Sequence, residues 1–397
     1  MKTTRLARTL LLLLVAALLL LPFLAAAAPA TKEIRNEWAA RPGLVVGLEN
    51  LAGSVVLEGT AGGAVELLAT LHAENASDLD LLAIDASESG DRVEVSARYP
   101  IEKHDVIRFG GAEETSVFGS SSTTTTYRGQ RVKVVSGGTS RGTAMWVDFR
   151  LRLPAGTGAD VRNEVGRIAA SNVSGPLKAK TGAGRVRIDA GDGPASAKTG
   201  SGDVTITKRK GSVETSTGSG SVTLSDLGGD VAVNTGSGDV ELVGITGSVV
   251  AHTGSGNVGL TRVDGATVRA HTGSGGISLR SVTGALEAGT GSGSIHGEAV
   301  TVAGILVLDT GSGDIRLAGD FTGLTEATVG TSSGDVALKM TQAPGMSLSC
   351  RTSSGDIDVD VAGTKVRTER RLEVAVGGGG APVRVRTSSG SIRIEGR

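Results

Sequence analysis

Cysteine, aromatic residues and proline are all scarce in this chain of 397 residues. It contains one cysteine, 2% aromatic residues and nine prolines. A single cysteine excludes an internal disulfide framework. The chain has few rings to stack on bases, and its 40 basic residues are balanced by 41 acidic ones. Both facts argue against a nucleic-acid partner, because such a partner is bound through excess positive charge and base stacking.

Glycine, by contrast, is abundant. The 61 glycines are roughly twice the share found in ordinary globular proteins. They follow no Gly-X-Y period, which excludes collagen, and they disfavour a helical bundle. With 39% hydrophobic residues and a net charge of −1, the chain also lacks the composition of a disordered protein.

Residues 1–30 have the pattern of a secretory signal. Lys2, Arg5 and Arg8 precede an apolar run at residues 10–21, and Ala28-Pro29-Ala30 supplies the small residues of a cleavage site. The alternative is an uncleaved membrane anchor, but the proline and the Ala-x-Ala site favour cleavage. We therefore predict an exported protein, in the periplasm or at the cell surface, with no membrane span after cleavage.

A six-residue segment, Thr-Gly/Ser-Ser/Ala-Gly-x-Val/Ile, recurs eleven times from residue 181 onward. Five of the first six intervals are 18 residues, later ones are 20 or 21, and the last is 35. Degenerate copies begin at Asn50 and Asn163. The first residues of the eleven copies are Thr181, Thr199, Thr217, Thr235, Thr253, Thr272, Thr290, Thr310, Thr331, Thr352 and Thr387.

Each repeat consists of two similar halves, because glycine recurs every nine residues between positions 166 and 265. Apolar or small residues stand four and two positions before each threonine, as Val231 and Val233 do before Thr235, and again five and seven positions after it. This period of two predicts half-buried strands. Because nine residues cannot bury an apolar pair alone, successive units must stack. The sequence predicts an all-β solenoid with two short strands per coil of about 18 residues.

We predict three parts of the chain: the signal at 1–30, a less regular β-rich N-terminal cap at 31–155, and the solenoid at 156–397. Residues 101–145 lack the repeat and are predicted to be a flexible insertion, with a mobile loop at the low-complexity run 119–126. Between Thr352 and Thr387 we expect one degraded coil and a flexible run of glycines at 377–380.

Two sets of residues are candidate ligand contacts. The first is the aromatic cluster near the insertion, which is either a cap over the open end of the core or a contact surface. The second is the column of aspartates in the repeats, whose parity turns them outward. These candidates are Tyr99, Phe109, Phe118, Tyr127, Trp146, Asp203, Asp239 and Asp314.

No catalytic, cofactor or metal site is predicted. Calcium-binding β-rolls place aspartate at the sixth position of a nine-residue unit, whereas Asp239 stands at the fifth and is expected to cap a turn. His252 and His271 share a position in adjacent coils but have no third recurring ligand. The repeat threonines have core parity, so we expect their hydroxyls to bond turn amides rather than to form a surface array.

The leader, the β-rich start, the segment VDFRLRLP at 147–154 and the stacked Thr-Gly-Ser-Gly-Asp-Val units resemble a known group. This group is the bacterial "putative adhesin" family of exported β-strand-repeat envelope proteins, a family of unknown function. The resemblance covers most of residues 40–397. It implies export or membrane association and supplies no catalytic residues.

We predict a non-catalytic envelope or surface scaffold that binds a glycan, wall polymer or protein through many outward contacts. Two alternatives remain open. A solenoid enzyme acting on polysaccharide would need acidic and basic side chains converging in one groove. A self-associating structural protein would need an uncapped terminal coil.

Overall fold

Two parallel β-sheets face each other along most of the chain. The structure is a computed structural model and describes residues 29–110, 122–136 and 141–396. The signal segment up to residue 28 and Phe118 lie outside the described residues. No helix in the described part is long and apolar enough to cross a membrane.

The described residues of the N-terminal part form ten strands and one short helix, α1 (Ala76–Leu79). The strands are β1 (Ala30–Ala39), β2 (Val45–Ala52), β3 (Val55–Thr60), β4 (Ala64–Ala73), β5 (Ala83–Ser89), β6 (Arg92–Arg98), β7 (Val106–Phe109), β8 (Ser122–Tyr127), β9 (Gln130–Ser136) and β10 (Thr143–Pro154).

The repeat part contains twenty strands. They are β11 (Gly158–Val165), β12 (Ile168–Ser171), β13 (Leu177–Ala183), β14 (Val186–Asp192), β15 (Ala195–Thr199), β16 (Val204–Lys210), β17 (Val213–Thr217), β18 (Val222–Gly228), β19 (Val231–Thr235), β20 (Val240–Thr246), β21 (Val249–Thr253), β22 (Val258–Thr272), β23 (Ile277–Thr290), β24 (Ile295–Thr310), β25 (Ile315–Ser333), β26 (Val336–Gln342), β27 (Met346–Val361), β28 (Thr364–Val376), β29 (Ala381–Ser389) and β30 (Ile392–Gly396).

Sheet 1 carries the strands that end at the repeat threonines. Its spatial order is β5, β6, β2, β11, β13, β15, β17, β19, β21, the C-terminal parts of β22 to β25, and then β29, β27 and β28. All pairings are parallel except β5 with β6 and β27 with β28.

Sheet 2 carries the other strand of each coil. Its spatial order is β1, β4, β10, β3, β12, β14, β16, β18, β20, the N-terminal parts of β22 to β25, and then β26, β30, the end of β27 and the start of β28. The pairings at its two ends, of β1 and β10 with β4 and of β27 with β28, are antiparallel.

The core lies between the sheets and is built from the alternate residues that the sequence predicted. In one coil, Val204 and Ile206 of sheet 2 and Val213 of sheet 1 are at most 1% exposed. Glu214, which follows Val213, faces outward. The repeat spacing holds the strands in register, since Val204 pairs with Val222 and Val213 with Val231. The prediction of an all-β solenoid with two strands per coil is confirmed.

The N-terminal end of the solenoid does not follow chain order. The degenerate copy at Asn50 forms the coil β2–β3, which stacks directly on β11 and β12. Later segments, β6 and β10, then cover its other side. Residues 45–60 are therefore already part of the coil stack, within the segment predicted as a cap.

The described residues of the predicted insertion at 101–145 include β-strands that pair with one another. Strands β8 and β9 are antiparallel, and β9 and the start of β10 lie on either side of β7 in a small third sheet. The expected mobile loop at 119–126 is wrong for residues 122–126, which belong to β8. The pairing with β9 satisfies backbone groups that a loop would leave to water.

The C-terminal end also departs from chain order. We expected one degraded coil between Thr352 and Thr387. Instead β27 and β28 form an antiparallel pair at the end, and β29–β30 occupies the level between β25–β26 and β27. Charged residues such as Lys365, Arg367 and Glu369 line the terminal strand β28, which protects an unpaired edge against further strand addition.

Candidate binding surface

The repeat threonines form a buried ladder at one corner. All eleven are between 2% and 8% exposed. Thr235 is typical, because its Oγ1 donates to the carbonyl oxygen of Gly220 one coil earlier (2.9 Å) and accepts from the amide of Gly238 (3.2 Å). The expectation that these hydroxyls bond turn groups is confirmed, and the threonine hydroxyls are committed to the coil stack.

The predicted aspartates stand four positions after repeat threonines, face outward and join neighbouring coils. Asp203 Oδ1 accepts from the amide of Ser221 at 3.0 Å, and Asp239 Oδ1 accepts from the amide of Asn257 at 2.7 Å. Asp314 Oδ1 accepts from the amide of Asp335 at 2.9 Å. Each carboxylate therefore caps a turn of the following coil, as predicted, and its contact with a ligand remains a prediction.

The predicted aromatic contacts, by contrast, are buried. Tyr99, Phe109, Tyr127 and Trp146 are between 1% and 7% exposed. They are therefore unavailable to an external ligand, and their assignment as contact residues is corrected. All four rings belong to the hydrophobic core cluster that also contains the coil residues.

The two tyrosines are held by hydrogen bonds as well as by packing. Tyr99 donates to Asn50 Oδ1 (2.9 Å) and to the Ala52 carbonyl (2.7 Å), and Tyr127 donates to the Ala97 carbonyl (2.6 Å). Their rings meet edge to face at 5.9 Å. Burial raises the pKa of both phenols, so both remain neutral donors at any physiological pH.

A polar cluster near Trp146 was not apparent from the sequence. The pairing of β4 with β10 sets His72 against Trp146, with their rings stacked at 4.6 Å. His72 Nε2 lies 3.0 Å from Asp148 Oδ2, and the Ser54 amide and hydroxyl both donate to Asp148 Oδ1 at 2.7 Å. Burial acts to raise the pKa of Asp148, but the bonds from His72 and Ser54 outweigh it and hold that pKa below its ordinary value.

This cluster has the wrong order for nucleophilic catalysis. In a catalytic triad the histidine stands between the serine and the carboxylate and takes the serine proton. Here the carboxylate of Asp148 stands between Ser54 and His72. The arrangement therefore fixes β10 against the turn at Ser54 and does not activate the hydroxyl.

Arg209 is a second feature that the sequence analysis missed. Its side chain is fully buried in a core column otherwise held by apolar residues such as Val173 and Leu227. The guanidinium donates to the carbonyl oxygens of Val173, Gly175, Asp192 and Gly193 at 2.8 to 3.1 Å. Burial lowers its pKa.

Position 191, beside this arginine, requires glycine. A Cβ there would lie 2.1 Å from the Val173 carbonyl oxygen and 3.0 Å from Arg209 Nη1. The guanidinium thus reaches past one coil to the next and ties three successive coils together. The signal was present in the sequence, because position 209 lies 36 residues after Val173 and 18 before Leu227 in the repeat column, yet is occupied by a charged residue.

The two histidines of adjacent coils lie together on the outer face of sheet 1. The rings of His252 and His271 stack at 5.2 Å, and His271 Nε2 is 3.4 Å from Glu287 Oε1. Within the described ranges, no group of three or more histidine, cysteine or acidic residues could hold a metal ion. Cys350 is fully buried, and burial raises the pKa of its thiol to about 12.

Charge is distributed unevenly along the rod. Residues 176–210 contain eight basic and three acidic residues, whereas residues 211–260 contain five acidic and no basic residues. On the outer face of sheet 1, the exposed side chains of Lys178, Lys180 and Lys198 form what we call the basic face. Lys180 and Lys198 are direct register partners, so they stand on neighbouring strands whose backbones are about 4.8 Å apart.

The lysines of the basic face differ in their ion pairs within the described residues, and the register partner of Lys178 on β11 is the acidic Asp160. Lys198 Nζ pairs with Glu214 at 2.8 Å. Lys178 and Lys180 form no ion pair with any residue in the described part of the chain.

A groove of about 550 Å³ runs beside the basic face along five coils. Its residues are mostly small or apolar, and Lys178 forms part of its wall at one end. Acidic Glu214 and Asp230 line it further along. Other lining residues are Pro176, Pro194, Ala232 and Val250.

The repeats match a known family profile over residues 204–322 and 319–395. The matched region is similar to the Toastrack DUF4097 family. The match confirms the resemblance to a family of unknown function. The basic face, at residues 178–198, precedes the matched Toastrack region, whereas Asp239 and Asp314 lie within it.

Two solved structures also align with the chain. A putative cell adhesion protein from Clostridium sporogenes is 8% identical, with 92% of this chain and 100% of that chain covered and a TM-score of 0.17. A putative adhesin from Bacteroides fragilis is 10% identical, with 92% and 98% covered and a TM-score of 0.20. No curated protein matches the chain.

Proposed function

We propose that this chain is an exported, non-catalytic envelope protein that binds an anionic envelope polymer along sheet 1. The observation that carries the proposal is the basic face. Lys178 and Lys180 are exposed on sheet 1 and form no ion pair with any described residue. Ammonium groups spaced by strand geometry can each meet one anionic group of a linear polymer, so that weak contacts add.

The organisation of the other ionisable groups supports a binding role rather than catalysis. The predicted aspartates are spread one per coil, and each caps a turn instead of converging with its neighbours in a groove. Toastrack DUF4097 is named as a family of unknown function. Export itself rests on the signal pattern of residues 1–30.

The test is cosedimentation of protein beginning at Thr31 with isolated wall and outer-membrane material over a salt series. We expect saturable binding that weakens as salt screens the charges. The double variant Lys178→Glu/Lys180→Glu should bind about tenfold more weakly, because two adjacent contacts become repulsive.

The matched control is Lys208→Glu/Lys210→Glu, which makes the same change in net charge at exposed positions of β16 in sheet 2. We expect this control to bind within about twofold of the unaltered protein. Equal losses of affinity in the two double variants would mean that only net charge matters, and would refute the proposal. Absence of saturable binding would refute it as well.

A further inference from the structure

The coil β29–β30, which we call the inserted coil, occupies a level that chain order would give to β27. In sheet 1 it pairs with β25 on one side and with β27 on the other, in parallel register. In sheet 2 it likewise lies between β26 and the end of β27. The chain therefore climbs two levels at residues 343–345 and later returns to fill the gap.

The inserted coil fits this level as closely as any sequential coil. A Cβ on Gly390 would lie 2.0 Å from the Gly334 carbonyl oxygen, and one on Gly355 would lie 2.1 Å from the Gly390 carbonyl oxygen. The turn ladder is also continuous, since Asp335 Oδ1 accepts from the Ser391 amide at 2.8 Å. The slot is thus complementary to a complete 16-residue coil.

The terminal pair β27–β28 depends on this coil. Among the described strand pairings, β27 pairs only with β28, β29 and β30. The inserted coil therefore supplies every ladder between the terminal pair and the rest of the rod. Its own core residues, Val383, Val385, Ile392 and Ile394, are at most 1% exposed.

A glycine hinge connects the inserted coil to β28. Residues 377–380 are all glycine, with φ of 61°, 85°, 87° and 151°. These values carry the chain across the start of β27, where a Cβ on Gly380 would meet the Gly345 carbonyl oxygen at 2.1 Å. Such a hinge gives a whole element the freedom to be exchanged between copies.

The spacing of the repeat threonines would also allow β27 to occupy a different level of the stack. Thr352 follows Thr331 by 21 residues, the same interval that separates Thr331 from Thr310. Thr310 and Thr331 pair directly, so the same spacing would allow β27 to stack on β25. The inserted coil competes with that arrangement, and a rod that lacks its own coil has an edge that another coil can fill.

We propose that the slot between β25–β26 and β27 is a strand-insertion site that accepts residues 381–396 of a second copy of this chain. The contacts that hold the coil are backbone ladders, repeat-column side chains and the Arg384–Glu326 ion pair at 2.8 Å. Every copy of the chain presents the same backbone ladders, side-chain columns and ion-pair residues. Strand addition of this kind joins proteins through backbone hydrogen bonds, with core side chains supplying specificity.

The test uses full chains that carry Cys350→Ala, a conservative change because Ala288 occupies the same column. One chain also carries Thr328→Cys and the other Arg384→Cys. These two positions are register partners and both are exposed, at a separation that suits a disulfide. The chains are unfolded in urea, refolded together over a series of protein concentrations, and mildly oxidised.

We expect an intermolecular disulfide between the two introduced thiols, identified by mass spectrometry, whose yield rises with protein concentration. The control pairs Thr328→Cys with Arg393→Cys, because position 393 is exposed on the same coil but lies in sheet 2. The matched pair should exceed the control at least about tenfold, since only insertion brings its two sites together.

A third chain carries both Thr328→Cys and Arg384→Cys. Its internal cross-link reports that the coil reaches its slot within one chain, so it separates failure of folding from failure of exchange. Internal cross-linking without intermolecular product above the control would overturn the proposal. Equal yields for the matched and control mixtures would overturn it as well. Failure of the internal cross-link would contradict the slot itself.

Discussion

The middle of the rod and its two ends are built from the same kind of coil. In the middle the coils stack in chain order, and at the ends they do not. From β13 to β21, each strand pairs with the strands one coil before and one coil after it in the chain. At the N-terminal end, β2 lies between β6 and β11. At the C-terminal end, β29 lies between β25 and β27.

This difference shows what a repeat does and does not specify. The repeat determines which residues face the core and which register two coils adopt. It does not determine which coil lies next, because every coil offers the same edge. A solenoid must also close its ends, and both ends of this rod close with antiparallel strands.

The strongest test of the comparison replaces a corner glycine in the middle of the rod. A Cβ on Gly220 would lie 1.9 Å from the Gly202 carbonyl oxygen, so the two coils must separate. We expect Gly220→Ala to lower the free energy of unfolding by about 3 kcal/mol or more. Hydrogen exchange should show lost protection on both sides of the lesion, because each coil is stabilised by its neighbours.

The same change in the inserted coil should have a different reach. Gly390→Ala creates an equivalent clash, 2.0 Å from the Gly334 carbonyl oxygen, but we expect protection to be lost only in β27–β30. Gly259→Ala is the control, since its Cβ would meet no atom closer than 3.9 Å. If the Gly220 and Gly390 variants lose protection from hydrogen exchange at the same amides, the distinction between the middle and the end of the rod is contradicted.

Arg209 makes one part of the middle unlike the rest. We expect Arg209→Leu to cost about 2 to 3 kcal/mol, because several backbone carbonyls lose a charged donor in a buried site. The change installs the residue that stands one coil later, at Leu227. Urea unfolding of this variant and of the exposed neighbour variant Lys208→Ala measures the effect, and equal midpoints would show that the ties across three coils add nothing.

Much of the rod could be predicted from the sequence because its information is local and periodic. The threonine bonds, the capping aspartates and the core columns all follow from parity. The pairing of His72 with Trp146 could not be predicted, since 74 residues separate them in the chain and no period connects them.

The inserted coil could not be predicted for a related reason. The interval of 21 residues from Thr331 to Thr352 indicates a sequential coil, and two coils with identical edges compete for one level. The candidate site was predicted only in part. The outward aspartates were identified, but the basic face was overlooked, because its lysines are ordinary solvent-facing residues until the structure shows which of them form no ion pair with a described residue.

A smaller and opposite effect is expected at the second corner of the coils. Lys208 adopts φ of 52°, a left-handed conformation that its equivalents Ala190 and Asp226 share. Because such a conformation costs a residue with a Cβ about 1 kcal/mol, Lys208→Gly should stabilise the protein by roughly that amount. Lys210→Gly is the control within strand β16, and it should destabilise instead. Thermal midpoints that shift in the same direction for both variants would contradict this reasoning.

The smallest expected effect concerns pH and the stacked histidines. Burial, and then the neighbouring His271, lower the pKa of His252 from its ordinary 6.5, while Glu287 opposes the shift. The folded state therefore binds fewer protons than the unfolded state below about pH 6.5, so stability should fall as the pH falls through this region. Because His252 is largely exposed, the loss should be roughly a few tenths of a kcal/mol. His252→Asn, which installs the residue found at position 234 one coil earlier, should reduce that part of the pH dependence. Identical differences between pH 7.5 and pH 5 in the urea midpoints of the two proteins would show that the ring pair has no effect on stability.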